Sequence, residues 1–151
     1  PSCIAGYMIL NDCSARDIQK NEMLGRMGPA KGKDFANIMG PYLLTADEWT
    51  GQLPEMVVRV GGQEWSRSNG VQPWWSFAIM LSHASQGETL LPGDLLGSGT
   101  YHKGCGLDMD RWLEAGDSLE LDAGPLGILK NKVGTPRAQK QLKYRRDGAY
   151  A

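Results

Sequence analysis

Apolar positions fall into short runs divided by glycine, proline and acidic turns, and one stretch repeats at helical spacing. Ile4 to Leu10 (IAGYMIL) is a strand-length run that stops at Asn11-Asp12. Ser14 stands three residues ahead of Asp17, a capping-box arrangement that predicts a short helix from Ala15 to about Met23. Gly25, Gly28, Pro29 and Gly32 predict a loop up to Phe35. Gly40-Pro41 introduces Tyr42 to Thr45, a second strand ended by Asp47-Glu48. Met56 to Val60 and Gln63 to Ser66 flank Gly61-Gly62, a two-residue hairpin turn in which both central residues tolerate positive φ. Trp74, Phe77, Ala78, Leu81 and Ala84 recur at three- and four-residue spacing, so residues 73–85 read as the one main amphipathic helix, with Pro73 near its first turn. Leu90 to Gly99 reads as turn then strand. Asp117 to Leu121 alternates like a half-buried strand, with Leu126 to Val133 as its partner.

These elements define an α+β chain, mostly β, with no internal repeat and no linker that would split it. Its 151 residues suit one domain, expected over residues 1–134, with a basic C-terminal tail over 135–151. Glycine supplies 20 of the residues, which agrees with many tight turns. Sixteen basic residues against seventeen acidic ones leave no overall field to draw nucleic acid or an anionic membrane. No apolar run approaches the ~20 residues of a membrane span, and no charged-then-apolar leader opens the chain. Cys3, Cys13 and Cys105 are an odd set without a C-x-x-C, which reads as reduced thiols in a cytoplasmic protein.

Few residues carry candidate chemistry. Asp12 lies where an apolar strand meets a helix start, a place that suits either a turn residue satisfying backbone donors or a carboxylate facing a cleft. Arg16 and Gln19, three apart, share a helix face and together offer a guanidinium and an amide to an oxygen-rich ligand, or simply face solvent. Lys33, in the glycine-rich AKGKDF loop, is either exposed or a fixed charge that stabilises developing negative charge. Thr100 closes the GSGT stretch, where glycines let backbone amides approach a ligand. His102 reads as polar surface and His83 as a packing histidine.

Taken in order, GYMILNDCSARDIQ (Gly6 to Gln19), GKDF (Gly32 to Phe35), GPYLLTADE (Gly40 to Glu48), LLPGDLLGSGT (Leu90 to Thr100) and LGILKNKV resemble the fumarylacetoacetate hydrolase family, in its C-terminal catalytic portion. The resemblance implies a mixed β-sheet roll, assembled as a homodimer or higher homo-oligomer. It implies a metal-dependent hydrolase that cleaves a C–C bond of a small 2-oxo or β-dicarbonyl acid through a stabilised enolate; decarboxylases and isomerases belong to the same family. Asp12 resembles a ligand of Mg²⁺, in some members Mn²⁺ or Ca²⁺, and Lys33 the lysine that stabilises charge on the substrate. Arg16, Gln19 and Thr100 match substrate-binding positions.

The chain departs from the family pattern as well. The family's two further carboxylate ligands, in an E-x-E motif, lie upstream of the N-D-x-S-A-R-D segment, and the eleven residues before Asp12 contain no Glu or Asp. The His-Glu pair that activates water in many members also draws on upstream residues. Asn37 stands where some members have a hydroxyl side chain, and YHKG follows Thr100 in place of the common P-A-G. A single carboxylate cannot satisfy a hard cation that takes about six oxygens. The competing expectation is therefore a shortened, non-catalytic paralogue that works as a binding or assembly module.

Overall fold

The computed structural model describes residues 2–70 and 73–135, so the tail expected beyond Thr135 lies outside the described residues. Its regular elements, in chain order, are β1 (Gly6–Asp12), α1 (Arg16–Leu24), β2 (Asn37–Thr45), β3 (Met56–Val60), β4 (Gln63–Ser68), α2 (Phe77–Ala84), β5 (Ser118–Asp122) and β6 (Ile128–Lys132). Short 3₁₀ turns occupy Gly106–Met109 and Gly124–Leu126. One sheet pairs β1 with β2; the other runs β4-β3-β5-β6, and the ladders within both are antiparallel.

The four-stranded sheet follows from local chemistry. Gly61 and Gly62 sit at φ 57° and 81°, the left-handed pair that a tight hairpin between β3 and β4 requires. On β5, Leu119 and Leu121 point inward while Glu120 and Asp122 point outward, the period of two that half-burial imposes. The outward residues pair across strands, Glu120 with Lys130 at 2.8 Å and Asp122 with Arg59 at 3.1 Å. The inward ones join Val58, Val60, Leu126 and Leu129 in the core, where Ile9 of β1 and the fully buried Ala123 also lie. An amide bridge from Asn11 Nδ2 to Asn131 Oδ1, 3.0 Å, ties β1 to β6.

Several boundaries differ from the sequence reading. The strand expected over Tyr42–Thr45 begins at Asn37, because Asn37 to Gly40 pair with Asp12 to Ile9; the ladder slips around Pro41, which has no N–H to give it. The helix expected over 73–85 is confined to Phe77–Ala84. Ser76 caps it by accepting from the Ile79 N–H at 3.3 Å, which leaves Trp74 and Trp75 outside. None of its residues is buried, and Phe77 meets the fold edge-on at Tyr7, ring centroids 5.2 Å apart. The Leu90–Gly99 strand does not form. The Asp94 carboxylate accepts the Leu91 N–H at 2.7 Å and closes a turn, and Gly93 and Gly99 take positive φ, so the run has no extended edge to pair. The Ser14–Asp17 capping box is also absent: Ala15 is the N-cap of α1, and the Ser14 hydroxyl turns elsewhere.

Candidate functional site

Alternation along β1 decides where Asp12 points. Ile9 is buried and Asn11 reaches inward to Asn131, so Leu10 and Asp12 share the outer face. There the Lys33 ammonium donates to Asp12 Oδ2 at 2.5 Å and to Ser14 Oγ at 2.8 Å. Ser14 in turn donates to the Asp12 carbonyl at 3.2 Å. The two charged side chains keep 23% and 47% of their surface exposed, so the pair is worth only ~0–1 kcal/mol of stability. What it fixes is position: an ammonium has three protons, and two are engaged.

Lys33 is delivered by a loop that α1 organises. Glu22 accepts the backbone N–H groups of Ala30, Lys31 and Gly32 at 3.0, 2.7 and 3.0 Å. Those bonds, the Gly32 amide foremost, hold its carboxyl below the usual carboxylate range. The Ala15 N–H donates to the Gly32 carbonyl at 2.8 Å, closing helix start and loop onto each other. Gly32 is buried against the backbone of Gln19, so closely that a Cβ there would lie 2.8 Å from its nitrogen. Sequence reasoning missed Glu22, which reads as an ordinary surface glutamate of a helix.

The half-buried Arg16 and Gln19 meet on the same helix, Arg16 Nη1 donating to Gln19 Oε1 at 2.6 Å. Arg16 Nη2 also donates to Cys105 Sγ at 3.1 Å, a contact no sequence signal announced. Cys13 lies between Asp12 and Ser14; burial first, then the Asp12 charge, pushes its thiol up against the opposing pull of Lys33, so it stays protonated rather than nucleophilic. Ser14, Arg16, Gln19, Met23, Leu107 and Trp112 line an open cleft of about 780 Å³.

The other candidates stand apart. Gly97 abuts Leu10, so the stretch leading to Thr100 runs along the face that carries Asp12. Thr100 itself is exposed, and among the described residues it makes no hydrogen bond to the Asp12–Lys33 pair. The loop behind it is tied down by Tyr101 Oη to the Pro54 carbonyl at 3.1 Å and by Ser68 Oγ to the His102 carbonyl. His102 is exposed as expected, and His83 is exposed in the last turn of α2 rather than packed. Asn37 pairs directly opposite Asp12 in the ladder.

A divalent cation fits these residues poorly. Among the described residues no group of three or more His, Cys, Asp or Glu side chains converges on one point. Asp12 offers one carboxylate, half of it already held by an ammonium, against a need for about six oxygens. No helix of the described residues is long and apolar enough to cross a membrane.

Residues 1–134 match the family model described as fumarylacetoacetate (FAA) hydrolase C-terminal, and the chain belongs to the fumarylacetoacetate hydrolase family. It is 31% identical over 135 residues to oxaloacetate tautomerase YisK of Bacillus subtilis, a match over 87% of this chain and 44% of that protein. It is 34% identical over 136 residues to the 2,4-didehydro-3-deoxy-L-rhamnonate hydrolase of a Sphingomonas species, over 87% and 47%. Among solved structures, the fumarylacetoacetate hydrolase of Exiguobacterium antarcticum superposes with a TM-score of 0.70 at 26% identity, covering 87% of this chain and 47% of that one. The 5-carboxymethyl-2-hydroxymuconate delta-isomerase of Mycobacterium smegmatis gives 0.67 at 31% identity, over 86% and 48%. The chain thus has the family's β-rich fold, and it spans less than half the length of these relatives, which include hydrolases, a tautomerase and an isomerase.

Proposed function

We propose that this chain supplies the substrate-anchoring half of a fumarylacetoacetate-hydrolase-type site that cleaves a C–C bond in a small 2-oxo or β-dicarbonyl acid. The observation that carries the reading is Lys33, clamped with one proton left for a ligand by Asp12 and by Ser14, which itself lines the cleft that holds Arg16 and Gln19. Breaking a bond next to a carbonyl leaves an electron pair that delocalises onto the carbonyl oxygen. A positioned ammonium stabilises that oxygen because it is already oriented when the charge develops. Arg16, braced by Gln19 and Cys105, binds the carboxylate, and the Gln19 amide N–H groups remain for a second oxygen. Thr100, exposed on the loop that passes Leu10 at Gly97, offers its hydroxyl to a substrate oxygen.

A family-type Mg²⁺ ion would need carboxylates from outside the described residues, with Asp12 as one contributor, and the group that activates water would also lie outside them. The free thiols of Cys3, Cys13 and Cys105 suit a reducing, cytoplasmic setting. Lys33→Met tests the reading: kcat/KM for acylpyruvate cleavage should fall by ~10²–10³-fold. An unchanged rate would remove Lys33 from the chemistry.

A second reading has its own support. That no acidic cluster converges among the described residues favours a family member that binds oxo-acids or assembles with a partner without turnover. Oxalate binding by calorimetry without turnover of any acylpyruvate, oxaloacetate or dienoate would select it.

A further inference from the structure

The cleft beside Arg16 is amphiphilic, and its far wall matches no part of a small polar acid. Its polar lining is Ser14, whose hydroxyl holds the Lys33 ammonium, the Arg16–Gln19 pair, and Asp17 and Lys20 of the same helix. Met23, Leu107 and Trp112 line the same opening with 52%, 51% and 53% of their surface exposed. Three large apolar side chains lining one concavity are not expected of surface that meets only water.

That wall is also held in shape. The Trp112 indole N–H donates to Asp110 Oδ1 at 3.3 Å, and Asp110 takes a left-handed φ of 52° at the end of the 3₁₀ turn that presents Leu107. The Arg111 N–H donates to the Gly106 carbonyl at 2.9 Å, and its guanidinium lies 5.4 Å from the centre of the Trp65 ring on β4. Arg16, through Cys105, joins the cationic end to the start of this segment. The polar and apolar side chains therefore belong to one braced cleft.

The geometry points to a substrate with an apolar tail: a 2-oxo acid whose carboxylate and keto oxygens meet Arg16 and Lys33 and whose alkyl or aryl substituent lies on Met23, Leu107 and Trp112. This rests on the oxo-acid reading of the Lys33 end, and it separates this chain from any binder of compact diacids. Withdrawing a phenyl ring from water onto such a wall is worth at least ~10-fold in affinity.

The test is calorimetric titration of the full 151-residue chain with pyruvate and with phenylpyruvate, read as the ratio of their dissociation constants. Phenylpyruvate should bind at least ~10-fold more tightly, and Trp112→Ala or Met23→Ala should each cut that ratio to below about 3. A variant that merely folded badly would weaken both probes and keep the ratio. Equal affinities in the unsubstituted protein, or a ratio that survives both substitutions, overturns the tail site. Lys33→Met serves as the control on the underlying reading: if it alters neither affinity while the ratio still depends on Trp112, the oxo-acid end is misassigned and the apolar wall stands. If neither probe binds the unsubstituted chain, both fall together.

Discussion

Gly32→Ala is the substitution that most directly probes how the lysine is aimed. The added methyl would lie 2.8 Å from the Gln19 nitrogen and 2.9 Å from its Cα. Both are helix backbone, not the end of a mobile side chain, so α1 and the Lys33 loop must part by roughly half an ångström to restore ordinary contact. Overpacking of this kind costs ~1–3 kcal/mol, against a gain of ~0.4–1 kcal/mol from a stiffer unfolded chain. The expected net is a loss of up to ~2.6 kcal/mol, seen as a lower urea midpoint at unchanged m-value. Separation also strains the three Glu22 bonds to residues 30–32, so oxo-acid affinity should fall along with stability. A variant more stable than the parent would show the unfolded-state effect acting alone, and the tight seating of loop on helix would be refuted.

Two further outcomes follow from named contacts. Because the Glu22 carboxyl is depressed when folded, its hold on the Lys33 loop is complete above the ordinary carboxylate range and is lost as pH falls through the depressed value; the protection of the Ala30, Lys31 and Gly32 amides relative to their intrinsic exchange rates should fall in that acidic window, and Glu22→Gln should abolish the pH dependence. Cys105→Ala removes an acceptor from Arg16, which should raise the Kd for an oxo-acid about fivefold, the equivalent of ~1 kcal/mol, with Cys105→Ser restoring it; equal affinities in all three proteins would deny Cys105 any part in aiming Arg16.

Elements whose reasons are local were legible in the chain. The Gly61-Gly62 hairpin needs only two residues that tolerate positive φ, and β5 declares itself by alternation. Elements whose reasons are distant were not. Asn37 to Gly40 lack strand character on their own and become strand because Asp12 to Ile9 offer a ladder. Leu90 to Gly99 has strand-like composition but finds a carboxylate-closed turn instead. The ordered motifs named Asp12 and Lys33 together, yet nothing in the chain between these residues, 21 positions apart, carries a local sign that Glu22 would gather the loop. Arg16 and Cys105, 89 positions apart, could be joined only by the fold.

β1 works as a partition wall. Its inner row, Ile9 and Asn11, belongs to the hydrophobic interior and the bridge to β6, while its outer row, Leu10 and Asp12, faces Gly97 and the Lys33 ammonium. Deleting Leu10 or Asn11 with Ile9 kept in place would turn the Asp12 carboxylate inward, away from Lys33. The irregularity opposite Pro41 lies on the other side of Ile9, where slack can be absorbed without disturbing that order. Length changes near the beginning of the strand are thus survivable, and the same change four positions later would disarm the cleft.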